Sequence, residues 1–174
     1  EQHKLLTTPT KPITNETPQE VIDTLNVIYD WVKNPKNNAW GLALPQVWHS
    51  RSAFVICAPD NTNPVKNWKR NSKASYLQGM FINPVITDYS DAMLPAYRET
   101  CLSEPWTYRW VKRPAEITIT YTNQNWQLRE NIVISGNRAR VIQHEYDHLR
   151  WKLLSDHPLT GNSRITPATF TPDN

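Results

Sequence analysis

The sequence predicts an α+β fold in which mostly antiparallel sheets pack around a central helix, with an amphipathic helix near the N-terminus. Three observations predict it. An apolar stripe of helical period spans residues 21–32, short runs of strand period fill residues 53–134, and a second helical stretch carries His144-Glu145-Tyr146-Asp147-His148. Helix, strands, helix is not the strict alternation that builds a parallel α/β sheet.

The first helix is announced by Thr17-Pro18-Gln19-Glu20, a hydroxyl N-cap, a proline at the first helical position and a Glu at N3. Val21, Ile22, Leu25, Ile28, Tyr29 and Val32 then share one face, and Asn34-Pro35 stops the helix. Ala53-Phe54-Val55-Ile56-Cys57 reads as a buried strand closed by Pro59, and Met80-Phe81-Ile82-Asn83 as another ending at Pro84. Ile117, Ile119 and Tyr121 alternate with threonines. Trp126, Leu128, Ile132 and Ile134 alternate again beyond Asn123-Gln124-Asn125, so these two runs predict a hairpin. Ser135-Gly136-Asn137 ends that strand and starts the second helix, which runs to Leu149. The division expected is one catalytic domain over residues 1–154 and an extended or poorly ordered tail over 155–174, where Pro158, Pro167 and Pro172 interrupt any helical period.

Composition narrows the function classes. A chain of 174 residues that is 39% hydrophobic and 10% aromatic can bury a core and is not a disordered segment. No apolar run approaches the ~18 residues of a membrane span. A net charge of +3, with no clustered basic stretch, gives no argument for nucleic acid. Two cysteines cannot make a disulfide framework, and Glu1-Gln2-His3-Lys4 lacks the layout of a signal peptide. The expectation is a reducing compartment: a bacterial or phage-infected cytoplasm, or an organelle.

The chemistry lies in the second helix. Imidazoles at positions i and i+4 sit ~40° apart around a helix, so His144 and His148 can reach one ion, with Glu145 between them to handle a proton. Val141, Ile142 and Leu149 place that face beside a buried stripe, where two His and a Glu are costly unless paired or metal-bound. A third ligand is needed, from Cys101, Cys57, His49, His157 or a carboxylate. Cys101 is preferred, because Glu99–Pro105 reads as a polar loop whereas Cys57 sits inside an apolar strand. Asp147 reads as a surface or supporting carboxylate, Glu99 as an ion-pair partner, and His49 and His157 as surface residues.

Three ordered motifs resemble those of peptide deformylase. Ala39-Trp40-Gly41-Leu42-Ala43-Leu44-Pro45-Gln46 is similar to its G-x-G-Φ-A-x-x-Q, Glu99-Thr100-Cys101-Leu102-Ser103 to its E-G-C-L-S, and Gln143-His144-Glu145-Tyr146-Asp147-His148 to its Q-H-E-x-D-H. The resemblance covers roughly residues 8–154. It implies hydrolysis of the formyl group from the N-terminal formyl-methionine of new polypeptides, with ribosome docking in the family. It implies one divalent ion on Cys101, His144 and His148, typically Fe(II), with Zn, Ni or Co sharing the ligands. Glu145 would move the proton, and the Gln46 amide with the Leu102 backbone N–H would donate to the oxyanion. Trp40 and Val141 would lie near a methionine pocket, with the Gly41 backbone beside the peptide chain, and Tyr108 and Arg109 would meet the downstream peptide. Ala39 and Thr100 replace family glycines, and Thr100 would be strained if its position demanded φ > 0. The tail looks like that of shorter versions, without the long terminal helix. The competing class is an H-E-x-x-H metallo-endopeptidase, which would draw its third ligand from downstream, where only Asp156 and His157 stand.

Overall fold

The computed structural model describes residues 10–59 and 76–158. Within them the fold is α+β. Helix α1 is Gln19–Lys33, and strands β1 to β7 are Gly41–Ala43, Ala53–Pro59, Tyr76–Tyr89, Met93–Cys101, Glu104–Pro114, Glu116–Thr122 and Leu128–Ser135; helix α2, Gly136–Leu149, follows. One antiparallel sheet has the order β1-β2-β3-β6-β7, and β4 with β5 forms a separate two-stranded sheet.

Alternation along β2 explains why its sequence is apolar throughout. Ala53, Val55 and Cys57 face α1, where Val21, Leu25, Ile28 and Val32 meet them. Phe54, Ile56 and Ala58 face the opposite way, into a second core with Phe81, Ile117, Ile119, Ala139 and Ile142, the last two from α2. A strand buried on both faces needs no polar side. Each such large side chain contributes roughly 1.5–3 kcal/mol on leaving water.

Several local expectations are corrected. The predicted capping box does not form: Pro18 is the N-cap, without a side-chain bond, and the Thr17 hydroxyl instead accepts from Thr14 N–H at 2.9 Å. The strand expected to end at Pro84 continues to Tyr89, because a register shift between Ile82 and Val85 puts the proline where the ladder is interrupted. Trp126 is not in a strand. The β6–β7 loop runs to Gln127, held by Asn123 Oδ1 accepting from Asn125 N–H and Gln127 N–H, both at 3.0 Å.

The β4–β5 hairpin corrects the loop expected over Glu99–Pro105: Glu99–Cys101 ends β4 and Glu104 begins β5. Its inward positions carry Glu99, Arg109 and Arg113, all buried, so charge alternates where hydrophobicity should. The short 3-10 turn Leu154–Asp156 straddles the expected domain boundary and buries Leu154 against Cys101 and Val111. Residues 159–174, most of the expected tail, lie outside the described residues.

Asn83 adopts φ 49° at the β3 bulge, and its side chain ties down the segment before α1. Its Oδ1 accepts from Ile13 N–H at 2.8 Å, and its Nδ2 donates to Ile13 C=O at 2.7 Å. Asn83→Ala removes both bonds and places a less tolerant residue at positive φ. The expected loss is about 2–3 kcal/mol, read as a lower urea midpoint with unchanged m.

Candidate metal centre

The end of β4 and one face of α2 meet here. Cys101 closes β4 opposite Glu104, while His144 and His148 lie one helical turn apart on α2. One ligand atom from each of the three lies within 4.8 Å of the others, and Cys101 Sγ is 3.3 Å from His148 Nε2. The imidazoles stand edge to face, their centroids 5.2 Å apart. Glu99 Oε2 holds His144 Nδ1 at 3.0 Å, which leaves Nε2 of that ring for the cluster.

Buried charge supports this arrangement from behind. Glu99 accepts from Arg113 twice at 2.8 Å and from Arg140 at 3.0 Å. Burial alone would raise the Glu99 pKa, but the Arg113 guanidinium holds its carboxyl far below the usual range. Asp147 accepts from Arg113 at 2.9 Å and pairs with His157, also at 2.9 Å. His157 is thus not the surface residue expected, its side chain being only 10% exposed. Arg140 also donates to Val111 C=O and Pro95 C=O, at 2.8 and 2.7 Å, and so ties α2 to both hairpin strands.

Glu145 is buried beside the cluster, and its Oε2 has no hydrogen-bond partner among the described residues. Burial pushes its pKa up to about 7, against the pull of His144. Burial takes His148 down to about 3, and the charge of His144 acts the same way. For His144, burial opposes protonation, yet hydrogen bonds to Cys101 and Glu99 outweigh it and hold the ring well above its ordinary value. The cluster thus brings one sulfur and two imidazoles together beside a buried carboxyl. That donor set, with an unpartnered carboxylate alongside, fits a divalent cation.

Gly41 is shaped by Glu145. A Cβ at position 41 would lie 2.7 Å from Glu145 Cδ, so only glycine lets β1 pass this close to the carboxyl. The turn after β1 aims Gln46. Its Oε1 accepts from Ala43 N–H at 2.8 Å, and its Nε2 donates to Ser103 Oγ at 2.9 Å and lies 3.6 Å from Cys101 Sγ.

A cavity of about 510 Å³ opens over these groups, and Trp40, Gly41, Gln46, Leu102 and Val141 line it together with Cys101, His144 and Glu145. Tyr97, Arg98 and Arg140 also line it and were missed in the sequence, although Arg140 precedes His144 by four residues on one helix face. Tyr108 and Arg109 do not line it. Arg109 is buried and bonds to Tyr108 C=O, while Tyr108 lies under the Arg98 guanidinium. Cys57 sits in the α1 core, and His49 contacts Thr24 at 3.2 Å. Neither Ala39 nor Thr100 adopts positive φ; Thr100 is a regular β4 residue opposite Tyr108.

Two outcomes are expected. Cys101→Ser should weaken Co(II) binding and remove the thiolate-to-cobalt charge-transfer absorption. Glu145 binds its proton more tightly folded than unfolded, so its contribution to stability is present at low pH and lost as pH rises through about 7. In chelator-treated protein, Glu145→Gln should therefore raise the stability measured in urea at about pH 8.5 by up to roughly 3 kcal/mol, a gap that narrows toward about pH 5.

The polypeptide deformylase family profile matches residues 1–163. The peptide deformylase of Cytophaga hutchinsonii is 32% identical over 166 residues, spanning 92% of this chain and 84% of that one. A peptide deformylase of Bradyrhizobium is 32% identical over 160 residues, spanning 90% and 81%. Among solved structures, Arabidopsis thaliana peptide deformylase 1B superposes with a TM-score of 0.69 at 27% identity, over 90% of this chain and 77% of that one. A probable peptide deformylase from Synechococcus phage S-SSM7 gives 0.68 at 25%, over 88% and 93%. With its profile matched along most of its length and relatives of this identity on both sides, the chain belongs to the polypeptide deformylase family.

Proposed function

We propose that this chain hydrolyses the N-terminal formamide of formyl-methionine peptides, releasing formate and a free amine. The observation that carries the reading is the buried, unpartnered Glu145 carboxyl beside the Cys101–His144–His148 cluster, at the base of a cavity lined by Trp40, Gly41 and Val141. Cys101, His144 and His148 would hold one divalent ion, Fe(II) by family habit, with Zn, Ni or Co suited to the same thiolate and imidazole donors. Such an ion supplies Lewis acidity, polarising a carbonyl and making water a better acid.

The remaining steps belong to the chain. Glu145 takes a proton from the attacking water as its oxygen bonds to the formyl carbon. The C–N bond then breaks, and Glu145 returns the proton to the departing nitrogen. A buried carboxyl whose Oε2 has no hydrogen-bond partner among the described residues is free to do both. The Gln46 amide and the Leu102 backbone N–H would donate to the oxyanion, and Gln46 is already braced by Ala43 and Ser103. Val141 and Trp40 would receive the methionine side chain, with the Gly41 backbone beside the peptide chain. The hub role of α2, the docking of nascent chains at the ribosome and a cytoplasmic setting belong to the same reading; no helix among the described residues is long and apolar enough to cross a membrane.

The endopeptidase alternative finds no support at its decisive point. His157 is engaged by Asp147, and Asp156 Oδ2 accepts from Leu153 N–H at 2.7 Å, so neither downstream residue joins the two histidines. Formate release from a formyl-Met peptide, set beside digestion of an unfolded protein, separates the readings. Internal cleavage without formate would overturn the deformylase. Glu145→Ala is expected to keep its metal, by elemental analysis, and to lose about 10²–10⁴-fold in kcat.

A further inference from the structure

We propose that Arg98 selects substrates with an acidic side chain at the residue immediately after methionine. The inference rests on the deformylase reading and adds a specificity to it.

The cavity lies between two open strand edges. Among the described residues β1 pairs only with β2 and β4 only with β5, and Gly41 and residues 97–101 line the space between them. In the proposed pose an extended peptide has its first residue at Cys101 and Glu145 and runs along β4 toward Arg98, with its side chains alternating in step with the strand. Along β4, Glu99 and Cys101 are buried while Arg98 and Thr100 are exposed. With methionine pointing inward to Val141, the next side chain points outward, to the face that holds Arg98 and Thr100.

Arg98 is poised there. Its guanidinium lies 4.4 Å from the centroid of the Tyr108 ring, and Tyr108 is the cross-strand partner of Thr100. The guanidinium thereby lies over the β5 neighbour of Thr100, shifted toward the Cys101 end of the hairpin and not left to trail in solvent. Among the described residues no carboxylate pairs with it. The other charged groups lining the cavity are spoken for: Glu99 binds Arg140, Arg113 and His144, while Glu145 lies buried at the base. Arg98 is the exposed charge of the rim, and it is positive.

A carboxylate could come from a side chain or from the C-terminus of a short peptide, so the test uses both. Initial rates of formate release would be compared for formyl-Met-X-Ala amides with X as Glu, Gln or Lys, and for formyl-Met-Ala as free acid and as amide. The wild type is expected to favour Glu over Gln by roughly three- to five-fold in kcat/KM and to place Lys last, with the spread shrinking as salt is added. Arg98→Glu should invert the Glu-to-Lys ratio, and Tyr108→Leu should compress it. A flat series in the wild type, or an order unchanged in Arg98→Glu, would overturn the proposal while leaving the deformylase intact. A preference for the free acid without discrimination among the amides would assign Arg98 to the peptide terminus and overturn it equally. No formate from any peptide would take the deformylase reading down as well.

Discussion

One buried carboxylate organises the site. Glu99 sits at the meeting point of β4, β5 and α2, bound by Arg113, Arg140 and His144. Placing an ion there is expensive unless nearly all its lone pairs are met, and here three partners meet them. Because those partners come from two different elements, satisfying the charge fixes the hairpin on the helix. The position of Cys101 relative to the two imidazoles is a consequence of that docking. Asp147 neutralises the far side of Arg113, so the cluster is a paired network and not an accumulation of like charge.

The apolar cores do a different job. α1 and α2 lie on opposite faces of the large sheet, and β2 feeds both. This gives β1 a rigid neighbour, and β1 in turn presents Gly41 and, through its following turn, Gln46 to the site. The packing is therefore generic where it supports and specific only at the rim, where a glycine, an amide and a thiol must arrive together.

Much of this was readable from the residues. Helical period in α1 and α2, the continuous apolar run of β2 and the alternation in β6 all carried direct signals, as did H-E-x-x-H at its i, i+4 spacing. What escaped shares a physical cause. β4 and β5 bury Glu99, Arg109 and Arg113 on their inner face, so a search for apolar periodicity passes over them. Pro84 looked like a stop because a bulge cannot be seen from sequence, and Thr17 looked like a cap because its competing bond to Thr14 cannot be seen either. Arg98 and Arg140 carry no local signal of their own, and only the tertiary structure places one on the rim and the other in the network.

The bare α-carbon at position 41 has a mechanical consequence. The strand leans on the Glu145 carboxyl with no side chain between them, and water is thereby kept off it. Burial is the largest influence on that carboxyl's proton affinity, and the close approach of the strand is part of that burial. Prying the strand outward by the width of one solvent molecule would rehydrate the carboxyl and relax the burial that raises its pKa, while every candidate ligand stayed in place.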